Sequence, residues 1–150
     1  MKKTSFTAFL SAIAVIGLLM GCSGSKTPPV SERIAKVWTA SKIEWNNVTV
    51  YTKGATSNVR PGYANYQLNL SAAPTVTFTD FEGTAFTGQY SVPSDTQLSF
   101  SNISPPISGN TTGKLDFTIN SISDNELVIT QTTTTQKTGG QIVKYTLTNP

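Results

Sequence analysis

The acidic residues best placed to act together are Asp80 and Glu82, which lie two positions apart directly before Gly83. Residues i and i+2 of a strand share one face, so two carboxylates at this spacing could hold a calcium ion or work as an acid–base pair. The same three residues also suit a turn that ends at the glycine. We favour the turn, and expect neither a metal site nor a catalytic pair here.

The chain contains no histidine. Histidine is the commonest general base and metal ligand near neutral pH, so its absence excludes a Ser-His-Asp triad and imidazole coordination. The sequence also lacks a glycine-rich phosphate-binding loop between a strand and a helix. We therefore expect a protein that is not an enzyme and that has no catalytic residues, no cofactor and no metal.

Cys22 is the only cysteine, so the chain can form neither an internal disulfide nor a thiolate metal cluster. It follows two lysines and an apolar run from Phe6 to Met20, a pattern typical of a secretory signal peptide. That run is too short for a membrane-spanning helix, which needs roughly 20 residues. Without Lys2 and Lys3, nine basic side chains face eight acidic ones with no basic run, which argues against a nucleic-acid partner.

The segment Leu19-Met20-Gly21-Cys22 resembles the lipobox of bacterial lipoproteins. The resemblance implies that residues 1–21 are a signal peptide and that Cys22 becomes a lipidated first residue, which anchors the chain to the membrane through acyl chains such as palmitate. The alternative is an ordinary cleaved signal in which Cys22 is incidental. Residues 23–29 are small, polar or proline, and residues 22–30 are predicted to be a flexible tether. The same resemblance implies the periplasmic face of the outer membrane, because Ser23 stands where lipoproteins of the inner membrane often carry aspartate and no acidic cluster like that of surface-exported lipoproteins follows.

From Trp38 onward, apolar and polar residues alternate with a period of two, which is typical of half-buried antiparallel strands. The apolar positions that share a face are Tyr66-Leu68-Leu70, Val76-Phe78, Phe86-Tyr90-Val92, Leu98-Phe100, Leu115-Phe117-Ile119, Leu127-Ile129 and Val143-Tyr145-Leu147. Turn residues separate these runs, and Gly139-Gly140 suits a two-residue hairpin. The pattern predicts eight or nine strands.

A sheet of this size with almost no helix to cover it must close on itself or fold into two layers. We predict an all-β, antiparallel up-and-down barrel of about eight strands, with a short N-terminal helix capped by Ser31. Closure would pair the first strand, from Trp38, with the last strand, 142–148. A β-sandwich is the alternative.

Lys36-Val37-Trp38, which opens the first strand after a short helix, resembles the start of the lipocalin fold. The segments 63–70, 75–80, 88–90 and 117–129 are similar to later strands of lipocalin-like lipoproteins from Bacteroidota. The resemblance implies a lipocalin-like domain over residues 31–150. A basic residue from the last strand that caps Trp38 could only be Lys144, whose neighbours place it on the outer face.

The inward-facing aromatic residues are the candidate ligand-binding residues of such a barrel. They are Trp38, Tyr66, Phe78, Phe86, Tyr90 and Phe100. A barrel of eight strands can hold one small ligand or fill its interior with side chains. Two functions therefore stay open: a lipoprotein that binds a small apolar or amphipathic molecule, and a structural or interaction lipoprotein with a filled core that docks envelope partners or glycan. The threonine-rich segment 130–138 is either a polar-faced hairpin or a recognition surface.

Overall fold

The computed structural model describes residues 27–150, so the predicted signal peptide, Cys22 and most of the predicted tether lie outside the described residues. The first element is α1, a single helical turn over Val30–Arg33. Ser31 lies inside this turn and is not its N-cap, because the carbonyl of Pro29 already accepts from the amides of Glu32 and Arg33. No helix between residues 27 and 150 is long and apolar enough to cross a membrane.

Nine strands follow α1, and two short 3-10 helices lie in the connections between them. The strands are β1 Val37–Trp45, β2 Val48–Thr52, β3 Gln67–Ala72, β4 Thr75–Thr79, β5 Ala85–Ser94, β6 Gln97–Ser104, β7 Leu115–Ile122, β8 Glu126–Gln131 and β9 Val143–Thr148. The 3-10 helices span Pro61–Asn65 and Gln136–Thr138.

All nine strands belong to one antiparallel sheet, which closes through pairing between β1 and β9. Ile43 lies opposite Tyr145 and Trp45 opposite Val143, so the first strand does pair with the last. The closed ring contains β1 and β3 to β9, eight strands in all, with β2 as an extra strand. This confirms the predicted barrel and rules out the two-layer sandwich.

The extra strand β2 and the ring strand β3 lie on the same side of β1. Val37 to Thr39 of β1 pair with β3, whereas Lys42 to Trp45 pair with β2. The segment after β2 folds back along its free edge, where the Arg60 amide donates to the Val50 carbonyl at 2.9 Å. The outer edge of β2 is therefore partly covered, which protects it from pairing with another chain.

Antiparallel pairing places α1 and the turns at 73–74, 95–96 and 123–125 at one end of the barrel, the closed end. The guanidinium of Arg33 donates to the Ile122 carbonyl at 2.6 Å, and the ammonium of Lys36 donates to the Asp124 carbonyl at 2.6 Å. Trp38 is fully buried beneath α1, and its indole donates to the Ile34 carbonyl at 2.9 Å. These contacts seat the helical turn over the barrel.

The cation that lies over Trp38 is Lys36, with its ammonium 5.8 Å from the centre of the indole ring. Lys144 lies on the outer face of β9, where its ammonium is 3.9 Å from a carboxylate oxygen of Glu44. The cation over Trp38 therefore comes from Lys36, two positions earlier in the chain, and not from the last strand.

The opposite end, the mouth, contains the connections at 80–84 and 105–114 and the connection between β8 and β9, residues 132–142, here named the mouth segment. The prediction of a two-residue hairpin at Gly139-Gly140 is wrong, as is a polar-faced hairpin over 130–138. Both glycines do have positive φ, at 64° and 75°, but Gly139 ends the 3-10 helix Gln136–Thr138. Thr135 and Thr138 are buried, so the segment packs against the barrel instead of extending the two strands.

Candidate functional site

A cavity of about 50 Å³ lies in the mouth half of the barrel. Its lining is mostly aromatic, with a few polar residues: Tyr63, Tyr66, Phe78, Asp80, Phe81, Phe86, Phe100, Ile107, Leu115, Phe117, Gln131, Thr135, Lys137, Thr138 and Tyr145. A space of this volume holds a few water molecules, whereas pockets for larger ligands measure roughly 300–1,000 Å³. The described interior is therefore close to filled.

All six aromatic residues predicted to line the barrel are buried. The cavity brings four of them together: Tyr66, Phe78, Phe86 and Phe100. The other two are elsewhere in the core. Trp38 lies at the closed end, and the Tyr90 hydroxyl donates to the Leu70 carbonyl at 2.8 Å.

The aromatic rings that form the cavity walls pack against one another in pairs. Phe78 and Phe86 stack with centroids 4.8 Å apart, and Phe100 lies 4.9 Å from Phe117 on the neighbouring strand β7. On the other side Tyr66 and Tyr145 approach to 5.2 Å. Contacts of this kind add to the burial of the rings themselves, so the walls form a rigid apolar surface.

Lys137 of the mouth segment covers the cavity on the side of the barrel mouth. Its ammonium donates to a carboxylate oxygen of Asp80 and, at 2.8 Å, to one of Glu82. It also lies 5.3 Å from the centre of the Phe86 ring. The side chains of Lys137 and Asp80 are 16% and 11% exposed, so this ion pair is largely shielded from water.

The two carboxylates thus converge, as their spacing allowed, but on a lysine. Asp80 also forms the predicted turn, because its second oxygen accepts from the amides of Glu82 and Thr84, both at 2.9 Å. Burial lowers the pKa of Lys137, but hydrogen bonds and charges from both carboxylates outweigh it and the pKa is raised above its ordinary value. Lys137 is therefore fully charged at neutral pH.

The sequence did not indicate Lys137 as a site residue. It lies in the threonine-rich segment, and nothing in the local pattern connects it with Asp80, 57 positions away. Tyr63 was also missed, because it lies in the 3-10 helix Pro61–Asn65 and not on an alternating strand. The Pro61-Gly62 pair was the available signal. A side chain at Gly62 would meet the Phe81 carbonyl at 1.9 Å, so only glycine lets this helix pack against the turn.

Three tyrosine hydroxyls lie around the cavity, and they differ in the hydrogen bonds that they form. The Tyr63 hydroxyl accepts from the Trp45 indole at 2.9 Å, and the Tyr145 hydroxyl donates to the Gln131 side chain at 3.1 Å. The Tyr66 hydroxyl makes no hydrogen bond to any residue from 27 to 150. Burial is the main cause that raises the pKa of all three, so each hydroxyl keeps its proton at neutral pH.

These raised pKa values predict that the free energy of unfolding falls as the pH rises above about 10, the ordinary pKa of tyrosine. Above that pH the unfolded chain loses its tyrosine protons before the folded chain does, which favours unfolding. Each such tyrosine contributes a slope of about 1.4 kcal/mol per pH unit. Urea unfolding at a series of alkaline pH values measures this, and Tyr66→Phe should reduce the slope by one tyrosine's share. An unchanged slope in the variant would show that Tyr66 is accessible to water.

A closed barrel of eight antiparallel strands, with a helical turn over one end and a cavity toward the other, is the architecture of lipocalin-like proteins. A lipocalin-like protein from Bacteroides uniformis has a similar structure, with a TM-score of 0.51 and 14% identity over 79% of this chain and 99% of that chain. An uncharacterized protein from Bacteroides eggerthii gives a TM-score of 0.46 and 12% identity, over 77% of this chain and 98% of that chain. No family model and no curated protein matches the sequence. The first of these likenesses confirms the predicted lipocalin-like fold.

Proposed function

We propose that this protein is a lipid-anchored lipocalin-like lipoprotein of the bacterial envelope that binds a small apolar or amphipathic molecule at the barrel mouth and catalyses no reaction. The observation that carries the proposal is the aromatic cavity beneath Lys137, with its polar groups at one rim. Apolar walls with a few convergent polar groups are the usual composition of a ligand site.

A ligand larger than a few waters requires the mouth segment to move. The segment is attached to the barrel at both ends, and Lys137 holds its middle to Asp80 and Glu82. Release of this ion pair would uncover Phe86 and Thr135, which line the cavity beneath it. The apparent affinity for a ligand is then reduced by the fraction of molecules in which the segment is closed.

The position of residues 27–29 determines which end of the barrel would face the membrane under the proposed anchor. Residues 27–29 lead into α1, which lies at the closed end of the barrel. A tether that begins at a lipidated Cys22 would therefore reach the barrel from the closed end and leave the mouth facing away from the lipid. With Ser23 after the cysteine, we assign the periplasmic face of the outer membrane.

A second candidate function is a non-catalytic structural or interaction lipoprotein, and two observations favour it. The cavity is small, and the exposed large apolar residues Val48, Val59 and Ile142 all lie near the β1–β2 turn at the mouth. Val48 and Val59 line a surface groove with Arg60. Exposed apolar groups of this kind can mark a docking surface.

Native mass spectrometry of the full chain purified from its source separates the two functions. The binding proposal predicts a small-molecule adduct that disappears in organic solvent. It also predicts that Lys137→Met, which removes the ion pair and keeps the length of the side chain, raises the apparent affinity for N-phenylnaphthylamine, a neutral fluorescent probe. The increase should be about tenfold if the pair contributes about 1.4 kcal/mol to closure.

Lys42→Met is the matched control, because Lys42 pairs with Glu44 at 3.0 Å and its side chain is 42% exposed. It should leave probe binding unchanged. A chain without an adduct that also fails to bind the probe, in both the wild type and Lys137→Met, would contradict the binding proposal and favour the docking function.

A further inference from the structure

The hydroxyls of Thr135 and Tyr66 both line the cavity without a hydrogen bond to any of residues 27–150, and Tyr66 lies on the aromatic wall. Its side chain is 6% exposed, and its hydroxyl makes no hydrogen bond to any of residues 27–150. Every side-chain nitrogen or oxygen atom within residues 27–150 that is sealed from solvent has a hydrogen-bond partner, so the unbonded Tyr66 hydroxyl is open to the cavity. The neighbouring Tyr145 hydroxyl is already committed to Gln131. The hydroxyl of Tyr66 is therefore available to donate to a molecule in the cavity.

The charges in the cavity lining are already paired. Asp80 and Lys137 contact each other, and Glu82 adds a second carboxylate to the same ammonium. An anionic ligand would lie near Asp80 without a free cation in the lining, since Lys137 is the only basic residue among the residues that line this cavity. Burying an unpaired charge in such a site is costly.

A cationic ligand would meet a different obstacle. It would have to replace Lys137 at Asp80, and the lysine is held close by because β8 and β9 fix both ends of the mouth segment. A tethered group competes at a high effective concentration. Both signs of charge are therefore disfavoured in the ligand.

The walls favour a flat ring. Phe78 and Phe86 form a stacked pair, Tyr66 and Tyr145 face each other with ring planes 31° apart, and Phe100 contacts Phe117. A planar ring can stack on these faces or meet them edge-on, both of which aromatic groups prefer.

We propose, on the basis of the proposed function, that the cavity selects an uncharged aromatic ring that carries at least one hydrogen-bond acceptor, and that the Tyr66 hydroxyl donates to this acceptor. The ring occupies the aromatic walls beneath the mouth segment. Tyr66 confers the preference for an acceptor. The Asp80–Lys137 pair forms again when the mouth segment closes over the ligand, so a charged group in the ligand would be buried without a counter-charge.

Four small probes of similar size test this on the full chain, by ligand-observed NMR titration. Acetophenone is neutral with a carbonyl acceptor, cumene has the same shape without the acceptor, benzoate is an anion and benzylamine is a cation. We expect acetophenone to bind about five- to tenfold more tightly than cumene, the value of one hydrogen bond, and the two charged probes to bind more weakly still. Tyr66→Phe should abolish the difference between acetophenone and cumene by weakening acetophenone alone.

Tyr90→Phe is the matched control, because the Tyr90 hydroxyl is bonded to the Leu70 carbonyl and Tyr90 does not line the cavity. It should keep the preference for acetophenone. The wild-type ratio of acetophenone to cumene tests the inference even if Tyr66→Phe fails to fold. Equal binding of these two probes, tighter binding of a charged probe, or an unchanged ratio in Tyr66→Phe would overturn the ligand class and leave the binding function standing. Failure of the wild type to bind any of the four would overturn the ligand class, and the binding function would fall with it only if native mass spectrometry also shows no adduct.

Discussion

Under the proposed lipid anchor, Cys22→Ala is expected to leave the chain as an uncut precursor without added lipid mass and to remove it from the outer-membrane fraction. Without the thiol no diacylglycerol can be attached, and the lipoprotein pathway cannot cut the precursor before residue 22. Each buried CH₂ of an acyl chain contributes about 0.8 kcal/mol to membrane binding, so loss of several chains removes the anchor completely. Density-gradient fractionation of the cells and the mass of the mature N-terminus measure the effect.

Ser23→Ala is the matched control, because it changes the next residue and leaves the thiol. It should keep both the lipid and the outer-membrane fractionation. A wild-type chain whose mature N-terminus carries no added lipid mass would contradict the anchor, and Cys22 would then be an incidental residue after an ordinary signal peptide.

The strands could be predicted because each one carries its own signal. Alternation places Leu68 and Leu70 on one face of β3, and both are fully buried in the barrel. A period of two leaves little freedom, since a shift of one residue would turn every apolar side chain to the solvent. The closure of the sheet was predictable because the sequence offers almost no helix to cover an open sheet. The pairing of Ile43 with Tyr145 confirms this prediction.

The composition of the site could be predicted only in part. The alternation within a single strand predicts that rings such as Phe78 and Phe100 point into the barrel. The depth of each ring along the barrel axis depends on the register of all the strands. Alternation therefore could not separate these two cavity-lining residues from Trp38 and Tyr90, which lie elsewhere in the core.

The conformation of the mouth segment could not be predicted, because it depends on contacts with two distant segments. Threonine favours strands, so residues 130–138 indicated a hairpin. Contacts across the barrel decide otherwise: the Gln136 amide donates to the Ser108 carbonyl at 3.2 Å, and Lys137 reaches Asp80. Local propensity is a weak prior where tertiary contacts of this kind are available.

The largest expected loss of stability comes from a substitution at the closed end of the barrel. Trp38→Ala should lower the free energy of unfolding by about 3–5 kcal/mol, the usual cost of truncating a buried tryptophan. Trp38 is fully buried, and its indole donates to the Ile34 carbonyl, so the substitution opens a cavity and removes one of the two donors to that carbonyl, the other being the Lys36 amide. Urea unfolding followed by circular dichroism measures the change.

Two control variants separate the causes. Trp38→Phe keeps most of the ring and loses only the indole hydrogen bond and some volume, so its loss should be smaller, about 1–2 kcal/mol. Val59→Ala changes a residue that is 74% exposed and should stay within about 0.5 kcal/mol of the wild type. A loss below about 1 kcal/mol for Trp38→Ala would mean that α1 does not seal the barrel in solution. The closed end would then be a second entrance, and Tyr90 and Trp38 would return as candidate ligand contacts.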